Sequence, residues 1–333
     1  MKSRSGCSQT RFGTSQKAAK PSSVFFGLID GERPMKRSPR RQSGAILSRA
    51  RSFLSVNARL LERRRFEYLF EGGSAEAVLL SLRAYQNKDG GFGHALEPDL
   101  RGPESEPVPA WTALGILDEI DALRDSSARS ILRYLKTAEV RGGGLPFVLP
   151  AAKLSAHAPW WETGPGPVRG SLNPTAGIAS YLYKNHVRSS WLDRASSWCW
   201  NQIDQLQDAN PYELRVVLAF LDWSPDRPRA EAALARLRPL IRKPDVVELD
   251  ASKGGDAFHP LDLAPTPGRL SRSLFSRKEI ADNLTRILMD QREDGGWGVG
   301  FPIWTPITRF EWEGWQTLEM LKVLRANRLL GSS

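Results

Sequence analysis

A chain of 333 residues, 41% of them hydrophobic, can bury a large core as one large domain or as two ordinary ones. Its two cysteines, Cys7 and Cys199, are too few for a disulfide framework, and the apolar run at residues 24–29 is too short for a signal-peptide core or a membrane span. We therefore expect a cytoplasmic protein without an integral membrane segment, and contact with a membrane surface stays open.

The formal net charge of +10 is concentrated at the start of the chain. Residues 1–42 hold ten Lys and Arg against Asp30 and Glu32, and they are rich in Ser and Gly. This composition predicts a disordered basic leader, with a single domain over residues 43–333. A basic leader attracts nucleic acid or anionic lipid, but no basic and aromatic pattern recurs in the rest of the chain, so nucleic acid is not an expected partner.

From about residue 44 onward, apolar residues recur at spacings of three and four, which is the pattern of amphipathic helices. The chain is therefore predicted to be all-α. The predicted helices cover residues 45–70, 75–86, 108–123, 126–137, 174–186, 189–206, 211–222, 229–242, 277–290 and 309–329.

Two octets of nearly the same design follow two of these helices. QNKDGGFG runs from Gln86 to Gly93, and QREDGGWG runs from Gln291 to Gly298; TAEVRGGGLPF, from Thr137 to Phe147, is a degenerate third copy. Each places glycines after a helix, where they permit a sharp turn, and an aromatic residue beyond them. Repeated helix pairs stack openly or close into a ring. With about ten to twelve helices, we expect a closed (α/α) toroid, an α/α barrel with an outer and an inner ring.

At the octets the chain resembles the prenyltransferase and squalene oxidase repeat superfamily, which includes squalene-hopene cyclase, class II diterpene cyclases and protein prenyltransferase β subunits. The resemblance is to the glutamine-tryptophan repeat, which Gln291 to Trp297 fit closely and Gln86 to Phe92 fit with Phe in place of Trp. It implies an (α/α) toroid whose central cavity often holds isoprenoid chains in the family. The repeat is structural in the family, so we assign both octets to the scaffold.

The catalytic motifs of the resembled families are missing from this sequence. It contains neither the D-x-D-D motif of class II cyclases nor the D-D-x-x-D motif of class I synthases. The D-x-C pair that holds zinc in prenyltransferase β subunits is also missing, because Ser197 stands two positions before Cys199. The acid of any cyclase reaction must therefore come from other residues, and no cofactor is expected.

Candidate catalytic residues follow the first octet, in the segment HALEPDLRGPESEP. His94, Glu97, Asp99 and Arg101 lie within eight residues, and prolines stiffen the loop. A buried Glu97 or Asp99 would stay protonated and act as a general acid, or the two carboxylates with His94 would bind a divalent metal ion. The competing interpretation is structural, with the carboxylates capping the following helix or pairing with Arg101.

A second group, FPIWTPITRFEWEGW, repeats this layout after the second octet. Its charged residues Arg309 and Glu311 are interleaved with aromatic residues at the start of the last predicted helix. If the inner helices begin at the cavity, these two side chains and four tryptophans would bind substrate: Trp111, Trp304, Trp312 and Trp315. Aromatic residues at helical spacing also fit an ordinary core, and that alternative stays open.

Two long segments between helices, residues 145–173 and 243–276, are typical of lids or binding loops. In the second, His259 lies among Asp250, Asp256 and Asp262 at a spacing that matches no metal site, so we expect a solvated loop there.

Two functions remain. The first is a terpene cyclase-like or prenyltransferase-like protein that acts on an isoprenoid or other apolar small molecule in a central cavity. The second is a toroid that binds a hydrophobic ligand or serves as a scaffold without catalysis, which the missing motifs favour.

Overall fold

The structure, a computed structural model, describes residues 39–123, 126–208, 210–253 and 258–330. Within these ranges the backbone forms α-helices, short 3-10 helices and isolated bridges, and no β-strand, so the predicted all-α class is confirmed. The α-helices are α1 (Pro39–Asn57), α2 (Leu60–Glu71), α3 (Ala75–Arg83), α4 (Pro107–Glu119), α5 (Ser126–Ala138), α6 (Leu172–Lys184), α7 (Ser190–Gln205), α8 (Pro211–Trp223), α9 (Arg227–Ile241), α10 (Pro260–Leu263), α11 (Arg277–Met289) and α12 (Pro306–Ala326). The 3-10 helices are Pro150–Leu154, Pro159–Trp161 and Leu270–Leu274.

These helices form two concentric rings. The even-numbered helices are the inner ring: α4 packs on α6, α6 on α8, α8 on the short α10, and α12 on α2. The odd-numbered helices lie outside and pack against inner neighbours, as in the pairs α3 with α2, α7 with α6, and α1 with α12. The contact between α12 and α2 brings the last helix against the second, so the predicted toroid closes.

The inner helices run in the same direction, and two sets of contacts define the ends of the ring. Residues near the N-terminal ends of α2 and α12 meet the loop that precedes α4, through Arg59 and Trp312. Near the other end, Arg65 of α2 contacts Glu119 at the end of α4 and Glu319 of α12. The N-terminal ends of the inner helices therefore surround one mouth of the toroid.

All predicted helices but the first match one observed helix within a few residues, and the predicted helix at 45–70 is wrong. It divides into α1 and α2 because Arg59 is extended, with ψ of 159°. The Arg59 guanidinium turns away to donate to the carbonyl oxygens of Ala95, at 2.8 Å, and Leu96, at 3.3 Å. The neighbouring Ala58 is buried against Gly314 of α12. Tertiary contacts thus break a segment whose residues all tolerate a helix.

Each octet packs against the next outer helix around the ring. Gly90 has φ of 94°, and a Cβ there would lie 2.3 Å from the carbonyl oxygen of Ser130 in α5. Gly295 has φ of 96°, and a Cβ there would lie 2.2 Å from the carbonyl oxygen of Arg49 in α1. Glycine is required at both turns for its conformation and for the close approach. Helix α1 therefore takes the place of the next outer helix after α11 and closes the outer ring.

The octet side chains hold these turns together. The Gln291 amide donates to the carbonyl oxygens of Gly295, at 2.9 Å, and of Ile46 in α1, at 3.0 Å. The Trp297 indole is buried and donates to the Ile287 carbonyl at 2.8 Å. The first octet repeats part of this pattern, since the Gln86 amide donates to Gly90 at 3.2 Å. These contacts are structural, as the resemblance to the repeat implied.

Among the described residues, no helix combines the length and apolar character that a membrane crossing requires. Residues 1–38, which make up most of the predicted basic leader, lie outside the described residues, as does Asp256.

Candidate functional site

The loop after the first octet carries two buried carboxyl groups at the mouth of the toroid. Glu97 is 7% exposed and Asp99 is 2% exposed. The loop is fixed from below by Arg59, whose guanidinium binds the Ala95 and Leu96 carbonyls and forms a two-point ion pair with Glu62 at 2.7 and 2.9 Å. The loop thus holds both carboxyl groups away from water.

Asp99 is held by the last helix. The indole Nε1 of Trp312 donates to Oδ2 of Asp99 at 2.9 Å. The other carboxyl oxygen, Oδ1, is buried and has no hydrogen-bond partner among the described residues. An ionised carboxylate with an unpartnered buried oxygen is costly, so this environment favours the neutral acid.

Burial raises the pKa of both groups. It raises the pKa of Glu97 to about 8; the Asp99 carboxyl adds to the rise, and the Arg59 guanidinium opposes it. Burial also raises the pKa of Asp99 above its ordinary value, while the indoles of Trp312 and Trp160 and the Arg101 guanidinium act in the opposite direction. Glu97 therefore retains its proton at neutral pH, and the surroundings of Asp99 disfavour its ionised form, which is the direction that a general acid requires.

A buried ion pair joins the same two segments beside Asp99. The Arg101 guanidinium donates to Glu311 of α12 and, at 3.2 Å, to the Pro98 carbonyl. Glu311 is buried and also raises the pKa of Asp99. The alternative in which Glu97 or Asp99 pairs with Arg101 is therefore wrong: the partner of Arg101 is Glu311, and neither Glu97 nor Asp99 forms an arginine ion pair in the described residues.

Aromatic rings surround the acid. Trp312 packs edge-on against Phe301, with ring centroids 5.1 Å apart, and against Trp315, at 5.6 Å. Trp111 of α4 lies against Gly177 of α6, and Trp304 joins Trp111 in a small apolar cluster with Leu100, Val108 and Trp161. The four predicted tryptophans thus lie around the mouth, where their faces suit an apolar or cationic group.

Two of the predicted site residues lie apart from this group. His94 is exposed, and its Nε2 lies 2.9 Å from Oδ1 of Asn87. Arg309 is exposed on α12, two positions from the buried Glu311, and residues two apart on a helix do not share a face. His94, which was expected to bind a metal ion together with Glu97 and Asp99, is thus exposed and bonded to Asn87, and its φ of 54° is in the left-handed region.

The metal alternative has no ligand set in the described ranges. Among those residues, no group of three or more His, Cys, Asp and Glu side chains is placed to hold a metal ion. The expectation of a solvated His259 is also wrong: its side chain is buried, neither ring nitrogen has a hydrogen-bond partner among the described residues, and its backbone N–H is capped by Asp262 at 2.7 Å.

A segment between α5 and α6, which we name the strap (residues 145–171), covers the acid. Its Ala158 N–H donates to the Asp99 carbonyl at 2.9 Å, and its Ala156 carbonyl accepts from the Arg101 N–H at 3.0 Å. Leu100 forms an isolated antiparallel bridge with His157 of the strap.

The underside of the strap is apolar. The rings of Phe147 and Trp161 stack with centroids 4.5 Å apart and pack over Leu100 and Val108. The predicted lid segment therefore lies directly on the loop that carries Asp99.

The sequence interpretation missed a buried ionic network at the opposite end of the ring. Arg65 of α2 donates to both oxygens of Glu119, at 2.8 and 2.7 Å, and to Glu319 at 3.1 Å. Lys322 donates to Glu319 at 2.8 Å and to Glu119. Burial alone would raise the pKa of Glu119, but Arg65 and Lys322 hold it at about 2. The only sequence signal was a set of charges on otherwise apolar inner helices.

Glu106, directly before α4, was also missed. Its Oε2 accepts from the Leu149 N–H of the strap at 2.8 Å, and Oε1 is buried with no hydrogen-bond partner in the ranges that the structure describes. Burial raises its pKa to about 8. The Glu106 carboxyl group is therefore uncharged at neutral pH and holds the strap through its hydrogen bond with Leu149.

The structure has a cleft of about 630 Å³ between the first octet and the C-terminal end of α5. Its wall includes Asn87, Ser105, Tyr134 and Val140, and none of the predicted site residues belongs to it. The Asp99 site is instead covered by the strap in this structure.

Comparison with known proteins identifies the fold. No protein-family model matches the sequence, and no curated protein matches it. Among solved structures, the chain is similar to a variant of the type II terpene cyclase MstE from Scytonema, in complex with merosterolic acid A, its product. The two chains are 13% identical with a TM-score of 0.52, and the match covers 89% of this chain and 100% of the cyclase chain. The chain therefore has the terpene cyclase-like (α/α) toroid fold.

Proposed function

We propose that this protein is an acid-initiated cyclase of an isoprenoid or similar apolar olefin, with Asp99 as the proton donor. The observation that carries the proposal is the buried Asp99 carboxyl at the mouth, which the Trp312 indole holds at 2.9 Å and whose Oδ1 has no hydrogen-bond partner among the described residues. A neutral carboxyl group in a water-poor, aromatic-lined site is suited to protonate an alkene.

The reaction is balanced without a co-reactant. The Asp99 carboxyl proton adds to one carbon of a double bond, and the π electrons form the new C–H bond and leave a carbocation. A second double bond of the same molecule attacks this cation to close a ring. The cyclised cation then loses a proton to water or to the Asp99 carboxylate, which gives a neutral isomer of the substrate and balances the proton that Asp99 gave up.

The residues around Asp99 support this sequence of steps. Glu97, with a pKa of about 8, holds a proton at neutral pH close enough to interact with Asp99, and it can restore the acid after turnover. The faces of Trp111, Trp304 and Trp315 can stabilise the cation electrostatically. The similar cyclase carries a terpenoid product, which agrees with an apolar ligand for this fold.

We place the protein in the cytoplasm, where such a substrate would reach it from a membrane surface.

Native mass spectrometry and organic extraction of the purified protein, followed by incubation with linear isoprenoids and their diphosphates, test the proposal. We expect a cyclic isomer from the unmodified protein and none from Asp99→Asn, with an unchanged melting temperature. Asp193→Asn on the exposed face of α7 is the matched control. Full turnover by Asp99→Asn would rule out Asp99 as the acid.

A non-catalytic ligand-binding toroid is the second candidate, favoured by the missing D-x-D-D motif. In that case an isoprenoid would be retained through purification and would raise the melting temperature with the logarithm of its concentration, without any new product. Asp99→Asn would then leave retention unchanged.

A further inference from the structure

The reactive oxygen of Asp99 is closed off from solvent in this structure. Oδ1 is buried with no hydrogen-bond partner in the part of the chain that the structure describes, and Asp99 as a whole is only 2% exposed. A general acid must come within hydrogen-bond reach of the atom that it protonates. Some element over Asp99 must therefore move before a substrate can reach it.

Of the elements against Asp99, the strap is the one whose attachments can be released without unfolding a helix. Helix α12, which carries Trp312, is a 21-residue inner helix packed on α1 and α2. The strap is held over the loop by the two backbone hydrogen bonds of Ala156 and Ala158, and by the apolar contacts of Phe147 and Trp161. The Leu149 N–H also donates to Glu106 at 2.8 Å, and the Ser155 hydroxyl donates to Glu104 at 3.3 Å. The part of the strap that lies over the loop also carries Trp160, which is 45% exposed.

Glycines between residue 163 and Ser171 provide a hinge for the strap. Gly164 and Gly166 lie in this stretch, and Gly166 has φ of 123°. A Cβ at either position would meet no atom within 4 Å, so both have room to rotate. Hinges are short stretches that absorb changes of φ and ψ.

The base of the strap is fixed. The Ser171 N–H donates to the Leu145 carbonyl at 2.8 Å, and the Leu145 N–H donates to the Thr175 hydroxyl at 2.8 Å. Movement would therefore lift the tip, residues 146–163, and leave the base in place.

We propose that the strap is a flap whose tip lifts from Leu100 and Arg101 to admit an elongated apolar molecule to Asp99, and then closes over it to exclude water. This inference rests on the proposed function for the nature of the molecule, but not for the movement itself. Opening exposes an apolar underside formed by Phe147 and Trp161 over Leu100 and Val108, which matches a hydrocarbon chain.

Two engineered cysteine pairs separate movement of the tip from damage to the strap. Leu100→Cys with His157→Cys joins the tip to the loop, and Leu145→Cys with Ser171→Cys joins the two ends of the base. Each pair replaces residues of an antiparallel bridge, which lie close enough for a disulfide. Each also replaces one buried leucine and one more polar residue, so the base pair is a matched control.

Interference from the natural cysteines is small. Cys199 is buried, and Cys7→Ser is introduced in both variants. Mass spectrometry verifies each crosslink, and a short bis-maleimide closes a pair that does not oxidise. Turnover of the isoprenoid panel is compared before and after reduction, or against the uncrosslinked variant.

We expect crosslinking at the tip to lower turnover by about tenfold or more and reduction to restore it, because closure would be permanent. Crosslinking at the base is expected to leave turnover unchanged. Equal turnover with a locked and a free tip would overturn the proposal, and so would an equal loss in both pairs.

Hydrogen exchange provides a readout that needs no substrate. The amides of Ala158 and Arg101, which bond across the tip, should exchange faster than the amides in the middle of α12, and should slow when the tip is locked. Fast exchange at these two amides that slows on locking, in a protein without any turnover, would contradict the cyclase function but support the movement of the tip. If these two amides exchange as slowly as those of α12, the flap proposal is contradicted, whether or not the protein shows turnover.

Discussion

The Trp312 indole N–H lies 2.9 Å from Oδ2 of Asp99, although the two residues are 213 positions apart in the chain. The bond joins the loop after the first octet to the helix after the second. The octets themselves remain in the outer wall, where Gly90 lies against α5 and Gly295 lies against α1. The repeated turns thus build the ring, and ring closure is what brings the acid and its indole partner together.

Removing the indole N–H should weaken both the fold and the site. Trp312→Phe keeps an aromatic ring against Phe301 and Trp315 but removes the N–H that donates to Oδ2 of Asp99. We expect a loss of about 1–3 kcal/mol in the free energy of unfolding and a further rise in the pKa of Asp99. Chemical denaturation measures the first effect, and carboxyl-labelled NMR titration measures the second.

Trp315→Phe, on the same helix, serves as the control for the Trp312 variant. It alters the same aromatic group without touching the Asp99 hydrogen bond. If both variants shift the Asp99 titration equally, the indole N–H of Trp312 has no special effect on the acid.

The stability of the protein should fall as pH rises across the neutral range, in part because of Glu97. Its pKa is about 8 in the folded protein, against 4.5 for an ordinary glutamate. Between these values the unfolded chain releases a proton that the folded protein keeps, so this contribution is full below about pH 4.5 and is lost progressively up to about pH 8. Each pKa unit of difference amounts to about 1.4 kcal/mol.

Glu97→Gln, which stays neutral, should flatten the pH profile of the unfolding free energy between about pH 5 and about pH 8. Glu106 has the same raised pKa, so Glu106→Gln should flatten the profile similarly and the double variant further. Urea denaturation at several pH values checks this. A Glu97→Gln profile parallel to that of the unmodified protein would show that Glu97 ionises normally when folded.

The sequence predicted the toroid well because its signals are local. Helical periodicity located nine helices near their observed positions, and the glycines of the octets marked the turns that only glycine can adopt. The break between α1 and α2 could not be predicted, because Ala58 and Arg59 accept a helix and depart from it only for distant partners.

Removal of a buried charge at the end of the toroid opposite Asp99 should strongly lower the free energy of unfolding. Arg65 is 2% exposed and is the shared partner of Glu119 and Glu319. Arg65→Met would leave these carboxylates with Lys322 alone, and we expect a loss of about 3–5 kcal/mol in the free energy of unfolding. Denaturation in urea measures the loss.

The adjacent Arg64 is the matched control, because it pairs with Glu67 on the surface of the same helix. Arg64→Met should change stability by about 0–1 kcal/mol. The double variant Arg65→Met with Glu119→Gln should recover part of the loss, because one unpaired charge is removed with its partner. No recovery would show that Arg65 acts through packing rather than through its charge.

The candidate site was predicted as two separate groups, and their meeting depends on the closed ring. Glu97 and Asp99 were identified by residue type and loop stiffness, and Trp312 by its place in the matching segment. Their contact cannot be inferred from either segment alone, because no local pattern encodes it. His94 was predicted to lie with the two carboxyl groups, but its ring lies against Asn87. The sequence does not indicate this position, because nothing in it shows that His94 adopts a left-handed backbone conformation.

Closure of the outer ring by α1 predicts that Gly295 is among the least replaceable residues of the chain. An alanine Cβ there would lie 2.2 Å from the Arg49 carbonyl oxygen, at a backbone φ of 96°. We expect Gly295→Ala to lower the free energy of unfolding by on the order of 3 kcal/mol, since α1 or the turn must shift. Gly72→Ala is the control, because Gly72 has φ of 73° but a Cβ there meets no atom within 4 Å, so only the backbone strain of about 1 kcal/mol remains. Thermal and urea denaturation of both variants measure the difference, and equal losses would mean that the contact between the second octet and α1 does not close the ring.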